Sequence, residues 1–316
     1  MENVHVVVAT DNTYAQHVGV LFVSLLEHKQ RAYALTLHVI DGGISADNIE
    51  KLQMIARYYQ VTMRIIRPDR GRYQEMTTSH RFGEASFYRI SMPDLLDVGI
   101  EKAIYLDSDL IVKQDILQLW EIDISEHMIA AVVDYDLEKP KRPTEYKARF
   151  GISTSEKYFN SGVLLLNLRR WREEHTSNKV LAYLLEFGAT LDFPDQDALN
   201  AVLHEKCLFL PPCWNQQPYV YRLGATDTIM EQQVIDLVRA PYIIHYLGRI
   251  KPWSCASSHP LRLEYYRYLA LSPWKAFHPT DQTLGNYLTR MNGLFQNNLR
   301  YLRYRSPFAQ LFSPTR

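Results

Sequence analysis

The sequence predicts an α/β protein: a mostly parallel, twisted sheet flanked by helices and followed by a small, helical, basic C-terminal tail. Three observations carry that expectation. Short β-branched runs alternate with helically spaced apolar residues through the first two-thirds of the chain. Aspartates stand where predicted strands end, the edge at which ligands of such sheets collect. From Gly285 onward there is no Asp, Glu or Lys, but Arg290, Arg300, Arg303, Arg305 and Arg316 lie among Tyr, Leu and Phe.

The elements follow in order. VHVVVAT (4–10) reads as a buried strand, and HVGVLFVSLLEHK (17–29) as a helix lying on the sheet. LTLHVIDGG (35–43) is a strand entering a Gly-Gly turn. In SADNIEKLQMIARYYQ (45–60), Ser45 is the expected N-cap, and Ile49, Leu52, Ala56 and Tyr59 fall on one face. VTMRIIR (61–67) is a strand, and KAIYLDSDLIV (102–112) is another, continuing on both sides of its aspartates. No repeat or low-complexity linker interrupts the chain. The expected division is a domain over 1–284 and a tail over 285–316.

Composition narrows the function. The 316 residues are 47% hydrophobic and 22% charged, ordinary for a soluble globular protein. Lys plus Arg (35) equals Asp plus Glu (35), so charge gives no argument for nucleic acid. The three cysteines, Cys207, Cys213 and Cys255, form no C-x-x-C pair, which favours a reduced, cytoplasmic protein. The start, MENVHVVVAT, has no basic region and too short an apolar run for a signal peptide. No window has the length to cross a bilayer.

Of 18 aspartates, three pairs are spaced D-x-D: Asp107/Asp109, Asp134/Asp136 and Asp195/Asp197. Chance alone would give roughly one such pair, so context must select among them. The first lies between AIYL and LIV. Alternate residues of an extended chain point the same way, bringing both carboxylates to one spot, where they repel unless a cation bridges them. The second pair also ends a strand and stays open. The third precedes the apolar spacing ALNAVL, where Asp195 suits an N-cap. Far downstream, IIHYLGRIKPW (243–253) sets His245, Gly248, Lys251 and Trp253 on a glycine-relieved loop. An imidazole beside two carboxylates suits a divalent ion of intermediate hardness, Mn²⁺ above all, with Mg²⁺ as substitute. Lys251 is a compact charge suited to phosphates, and Gly248 lets backbone N–H groups approach an anion. Trp253 reads as a packing residue.

YLDSDLIV, YFNSGVLLLNLRRW (158–171), DQDALN (195–200) and HYLGRIKPW (245–253), in that order, resemble glycosyltransferase family eight, especially bacterial enzymes that add galactose or glucose to lipopolysaccharide. The resemblance implies a GT-A fold. It implies that Asp107, Asp109 and His245 hold Mn²⁺ against the diphosphate of UDP-galactose or UDP-glucose. Ala9, Asp11 and Thr13 or Tyr14 match the uracil and ribose positions, with Asn12 and Thr13 left open for the polar role. Ser108 falls between the paired aspartates. Arg89 matches an arginine near the donor sugar, Asn160, Asp195 and Gln196 match residues around the hexose, and Gly248 and Lys251 match phosphate contacts. The implied acceptor is a glycan or glycolipid.

In that chemistry the cation and Lys251 stabilise negative charge on the departing phosphate. The family retains the anomeric configuration. Gln196, a neutral amide, is a poor nucleophile, so front-side attack is expected, with Gln196 and Asp195 near the sugar. KPKRPTEYKARF (139–150) is expected as a loop over the site. In the tail, Phe295, Leu299 and Leu302 at helical spacing beside the arginines suit an anionic membrane surface, placing the enzyme peripherally on the inner face of the cell membrane. Two other readings are a catalytically silent nucleotide-sugar binder and a haloacid-dehalogenase-type phosphatase. The latter normally carries its D-x-D on the first strand.

Overall fold

The computed structural model describes residues 3–69, 85–138, 144–153, 155–221 and 231–305. Strands and helices alternate at first as the periodicity predicts: β1 (Asn3–Thr10), α1 (Ala15–Glu27), β2 (Ala34–Asp41), α2 (Ala46–Tyr58), β3 (Thr62–Ile66) and α3 (Ala85–Leu95). Ser45 does cap α2, its hydroxyl accepting from the Asn48 N–H. The buried face of α2 carries Leu52, Ile55 and Ala56, while Ile49 and Tyr59 are half-buried at its margin.

The expected single strand over 102–112 is two. β4 (Lys102–Leu106) belongs to the main sheet, and β5 (Leu110–Val112) pairs elsewhere, so Asp107–Asp109 form the turn between two sheets. The chain continues through α4 (Leu117–Trp120), β6 (Ile129–Val133), α5 (Thr144–Ala148), β7 (Phe159–Asn167), α6 (Leu168–Glu173), α7 (Thr176–Phe187) and α8 (Pro194–Leu203). Then follow β8 (Cys207–Phe209), α9 (Glu231–Arg239), β9 (Ile243–His245), α10 (Arg262–Leu269) and α11 (Leu284–Arg305). The expected loop over 139–150 contains α5; residues 139–143 lie outside the described residues.

The seven-stranded sheet has the order β3-β2-β1-β4-β7-β6-β8. All its strands run one way except β7, which is antiparallel to both β4 and β6. Helices cover both faces over two apolar cores. One is centred on Val6, Val8, Phe22 and Ile104, the other on Val7, Tyr105, Phe159 and Trp171. β7 is buried along its whole length, as a central strand covered on both faces must be. Because β7 is reversed, its first residues lie at the edge where β1, β4 and β6 end.

A second, two-stranded antiparallel sheet sets β5 against β9 with Leu110 opposite His245. α11 packs along α9, and an alanine at Gly293 would bring a methyl to 2.2 Å from the Ser258 hydroxyl oxygen, so that helix is seated closely. Of the tail residues expected to form its apolar face, Phe295, Leu299 and Leu302 have side chains outside the described set. Among the described residues no helix is long and apolar enough to cross a membrane.

Candidate active site

Four elements place their ends around one cavity of about 730 Å³: β1, β4 and β6 by their carboxyl ends and β7 by its first residues. The turn after β4 presents Asp107 and Asp109. Its start is fixed by the Asp107 N–H donating to the Gly162 carbonyl of β7 (2.8 Å). The β5–β9 ribbon carries His245 alongside, with the Tyr246 N–H donating to the Asp109 carbonyl (3.1 Å). The two carboxylates therefore meet through a turn, not through the alternation of an extended strand.

One donor atom each from Asp107, Asp109 and His245 lies within 4.8 Å of the others. His245 Nε2 is 3.3 Å from Asp109 Oδ1 and 3.9 Å from Asp107 Oδ2. The hydrogen-bond chain behind the ring decides what that nitrogen offers. The Gly162 N–H donates to Asn160 Oδ1 (3.0 Å), so this oxygen can accept only. Asn215 must then face it with its Nδ2 (2.8 Å), which turns Asn215 Oδ1 toward His245 Nδ1 (2.9 Å). In the neutral ring Nδ1 therefore carries the proton and Nε2 is a bare lone pair. It is buried, with no hydrogen-bond partner. A lone pair facing two carboxylates repels unless a cation stands between them, so these residues fit a divalent ion.

Two side-chain cations stand behind the carboxylates. Lys251 Nζ binds Asp109 Oδ2 and the Tyr246 carbonyl. Arg89, buried on α3, spans Asp107 (2.8 Å) and Asp195 (3.2 Å), donates to the Ser161 carbonyl (2.9 Å) and lies over the Tyr105 ring. The Tyr105 hydroxyl also donates to Asp107 (3.0 Å). Burial pushes Asp109 up, and the Lys251 ammonium beside it pulls this carboxyl below the usual range. Burial lowers Lys251, and the Asp109 charge reverses that. Asp195 goes the other way: burial drives its carboxyl up to about 6 against the pull of Arg89.

Across the cavity, Gln196 is locked by both ends of its amide. Oε1 accepts from the Ser161 N–H (3.0 Å), and Nε2 donates to Asp134 (3.1 Å). The same Asp134 oxygen accepts from Asn160 Nδ2 (3.1 Å), and burial raises this carboxyl despite both amides.

Ala9, Asp11, Tyr14, Arg89, Ser108, Asn160, Asp195, Gln196, Gly248 and Lys251 line the cavity with the three ligand candidates. Thr13 does not; it is exposed and outside the lining. Asn12 is also drawn away, its Oδ1 accepting from Ser45 N and Asn48 Nδ2 at the start of α2. Asp195 is not an N-cap: Phe193 holds that position, and Asp195 turns inward to Arg89. Gly248 has φ +94, a left-handed backbone that favours glycine. Trp253 stacks on His17 at 3.4 Å and 11°, a packing residue as expected.

Sequence reading missed Gly162, Asn215, Tyr105 and Ser161, and left Asp134 undecided. Asp134 carried a signal, the second D-x-D at a strand end. Gly162 carried one too, a glycine opening the apolar run GVLLLNL. There, an added Cβ would lie 2.3 Å from His245 Cε1 and 2.9 Å from Asp107 Oδ2.

The family described as Glycosyl transferase family 8 matches residues 5–256. General stress protein A of Bacillus subtilis (strain 168) is 34% identical over 290 residues, 90% of this chain and 97% of the relative. Lipopolysaccharide 1,2-glucosyltransferase of Escherichia coli (strain K12) is 28% identical, covering 89% of this chain and 81% of its own. The solved structure of galactosyltransferase LgtC in complex with donor and acceptor sugar analogs superposes with a TM-score of 0.76 at 22% identity. It covers 86% of this chain and 96% of that one, and shows that the fold is GT-A. From the family match over most of its length, the chain belongs to glycosyl transferase family 8.

Proposed function

We propose that this glycosyltransferase is a retaining, cation-dependent enzyme that moves galactose or glucose from a UDP-sugar to a saccharide hydroxyl of a lipopolysaccharide-like glycan. The observation that carries this reading is the lone pair of His245 Nε2 converging with Asp107 and Asp109 beside Lys251, in a cavity with room for a nucleotide sugar. In this reading Asp107, Asp109 and His245 hold Mn²⁺, or Mg²⁺ in its place, and a bound cation would supply Lewis-acid stabilisation of the charge on the diphosphate. Ala9, Asp11 and Tyr14 receive the nucleoside. Lys251 engages Asp109 and the Tyr246 carbonyl with two of its three ammonium protons, leaving one to direct at a phosphate oxygen.

The reacting centre then belongs to Asn160, Asp195 and Gln196. A double displacement needs a side-chain nucleophile, and the Gln196 oxygen is already engaged by the Ser161 N–H. Front-side substitution fits better. The C1–O bond to the phosphate breaks, the acceptor oxygen bonds to C1 on the same face, and the acceptor's proton passes to the departing phosphate oxygen. Gln196 steadies positive charge at C1. Gln196→Ala is expected to retain measurable transfer, reduced about 10- to 100-fold, the effect of leaving Ser161 N–H and Asp134 short of a partner. A glycosyl adduct trapped on any side chain would sink the front-side version.

The test of the function is a panel of UDP-sugars with Mn²⁺, read by UDP release without acceptor and by thermal shift. UDP-galactose or UDP-glucose should raise the melting temperature and release UDP slowly. Binding without turnover, with or without acceptor sugars, would indicate a silent binder.

Residues 1–284 carry this chemistry in our reading, and 285–316 form a basic, aromatic appendix that rests on an anionic membrane at the inner face of the cell. Its support is the outward stripe Leu284, Tyr287, Leu288 and Met291 on α11, a helix with four arginines and no acidic residue. Leu284→Ser/Leu288→Ser/Met291→Ser is expected to weaken cosedimentation with anionic vesicles about tenfold, with UDP release intact. Unchanged cosedimentation would remove the membrane from the proposal.

A further inference from the structure

Away from the cavity, a second group repeats the donor inventory of the first: one imidazole and two carboxylates. Glu156 lies just before β7. His204 follows α8 directly, and Glu205 is its neighbour in a short 3-10 turn over His204–Lys206. One ligand atom of each lies within 4.8 Å of the others.

The state of His204 follows from its partners. Nδ1 faces the Asn200 carbonyl at 3.0 Å, and a carbonyl can only accept, so Nδ1 carries a proton. In the neutral ring Nε2 is therefore a lone pair. It is shielded from solvent and has no hydrogen-bond partner, on a side chain only 11% exposed. It faces Glu156 Oε1 at 3.5 Å, beyond a good hydrogen bond.

A lone pair set against carboxylate oxygens calls for positive charge between them, and the nearby lysines do not supply it. Lys206 reaches away to Glu174, and Lys157 lies over the Phe209 ring. Among the described residues no Lys or Arg forms an ion pair with Glu156 or Glu205. Glu156 is preset from behind: its Oε2 accepts from the Ser153 N–H at 2.7 Å, and its carbonyl accepts from Lys147 Nζ at 2.6 Å.

We infer that Glu156, His204 and Glu205 form a second divalent-cation site. One imidazole nitrogen with two carboxylates suits a first-row ion such as Zn²⁺ or Mn²⁺, and Zn²⁺ heads Mn²⁺ in affinity for such donors. None of the three residues lines the cavity, so the site is separate from the one at Asp107, Asp109 and His245. Its placement gives it a structural consequence. Glu156 leads into the strand that carries Asn160 and Ser161, and His204 ends the helix that begins with Asp195 and Gln196. A cation shared by Glu156 and His204 pins those two walls of the cavity together at their far ends. This inference does not depend on the donor sugar or on turnover.

Equilibrium dialysis of the full chain against Zn²⁺, with the first site broken, tests it. Wild type should bind two ions, Asp109→Ala one, and Asp109→Ala/His204→Gln none. Zn²⁺ at a hundredfold over its Kd should raise the melting temperature of Asp109→Ala by about 5 °C, and leave that of the double variant unmoved. Should His204→Gln fail to fold, Asp109→Ala/Glu156→Gln replaces it, since that side chain is 38% exposed and its loss leaves no cavity. Asp109→Ala binding no Zn²⁺ would overturn the site. So would Zn²⁺ binding that survives unchanged in either double variant.

Discussion

Replacing Asp109 by alanine is expected to lower sugar transfer by about a thousandfold or more, equivalent to about 4 kcal/mol of transition-state stabilisation. Three losses coincide at this residue. Its Oδ1 is one wall of the gap into which His245 Nε2 points, and its Oδ2 is the partner of Lys251. Its carboxyl is also held in the charged form by Lys251 against the cost of burial. Removing it takes a negative ligand from the candidate metal centre and frees Lys251 to move. Mn²⁺ affinity and transfer should therefore fall together, while the sheet, whose apolar cores do not include Asp109, keeps its melting temperature to within a few degrees. The measurement is Mn²⁺ titration beside UDP release. Transfer at the wild-type rate in Asp109→Ala would remove the metal centre from the proposed mechanism.

Gly162→Ala is expected to weaken Mn²⁺ binding about 10- to 100-fold and to destabilise the fold by about 1–3 kcal/mol. The added methyl would stand 2.3 Å from His245 Cε1 and 2.9 Å from both His245 Nδ1 and Asp107 Oδ2. Real contacts do not come that close, so something must move. The strand cannot yield easily, because the Gly162 carbonyl accepts from Asp107 N–H and its own N–H donates to Asn160. The imidazole must tilt, and in tilting it breaks its bond to Asn215 and swings Nε2 out of the gap. This variant touches no sugar or phosphate, so it tests the assembly of the site apart from the chemistry. Mn²⁺ affinity equal to wild type would mean that His245 is not a ligand.

These two residues also mark how far the sequence could be read. Asp109 was visible because its chemistry is local: a charged residue among apolar ones signals its own cost. Ser45 was visible for the same reason, as a cap acts on an N–H three residues away. Gly162 was not, because the reason for it is a side chain from a different strand. Arg89 came from the family resemblance; its own surroundings read equally as an exposed helix charge. Its burial and its span from Asp107 to Asp195 depend on where α3 lies over the sheet.

By itself, then, the sequence determined the alternation of elements, the strand-end position of the paired aspartates and the residue types able to hold a cation. Each of these follows from periodicity or chemistry within a few residues. Tertiary structure decided the rest. It broke the expected strand over 102–112 into members of two sheets, because the apolar LIV run finds its partner in residues 243–245 and not in the main sheet. It reversed β7, which brings Asn160, Ser161 and Gly162 to the edge where the other strands end. It chose the tautomer of His245 through Asn160 and Asn215, and it turned Asp134 from an undecided aspartate into the anchor of Gln196. Strand pairing and hydrogen-bond direction at that range are settled by which surfaces bury together, and that leaves no mark on the local pattern of residues.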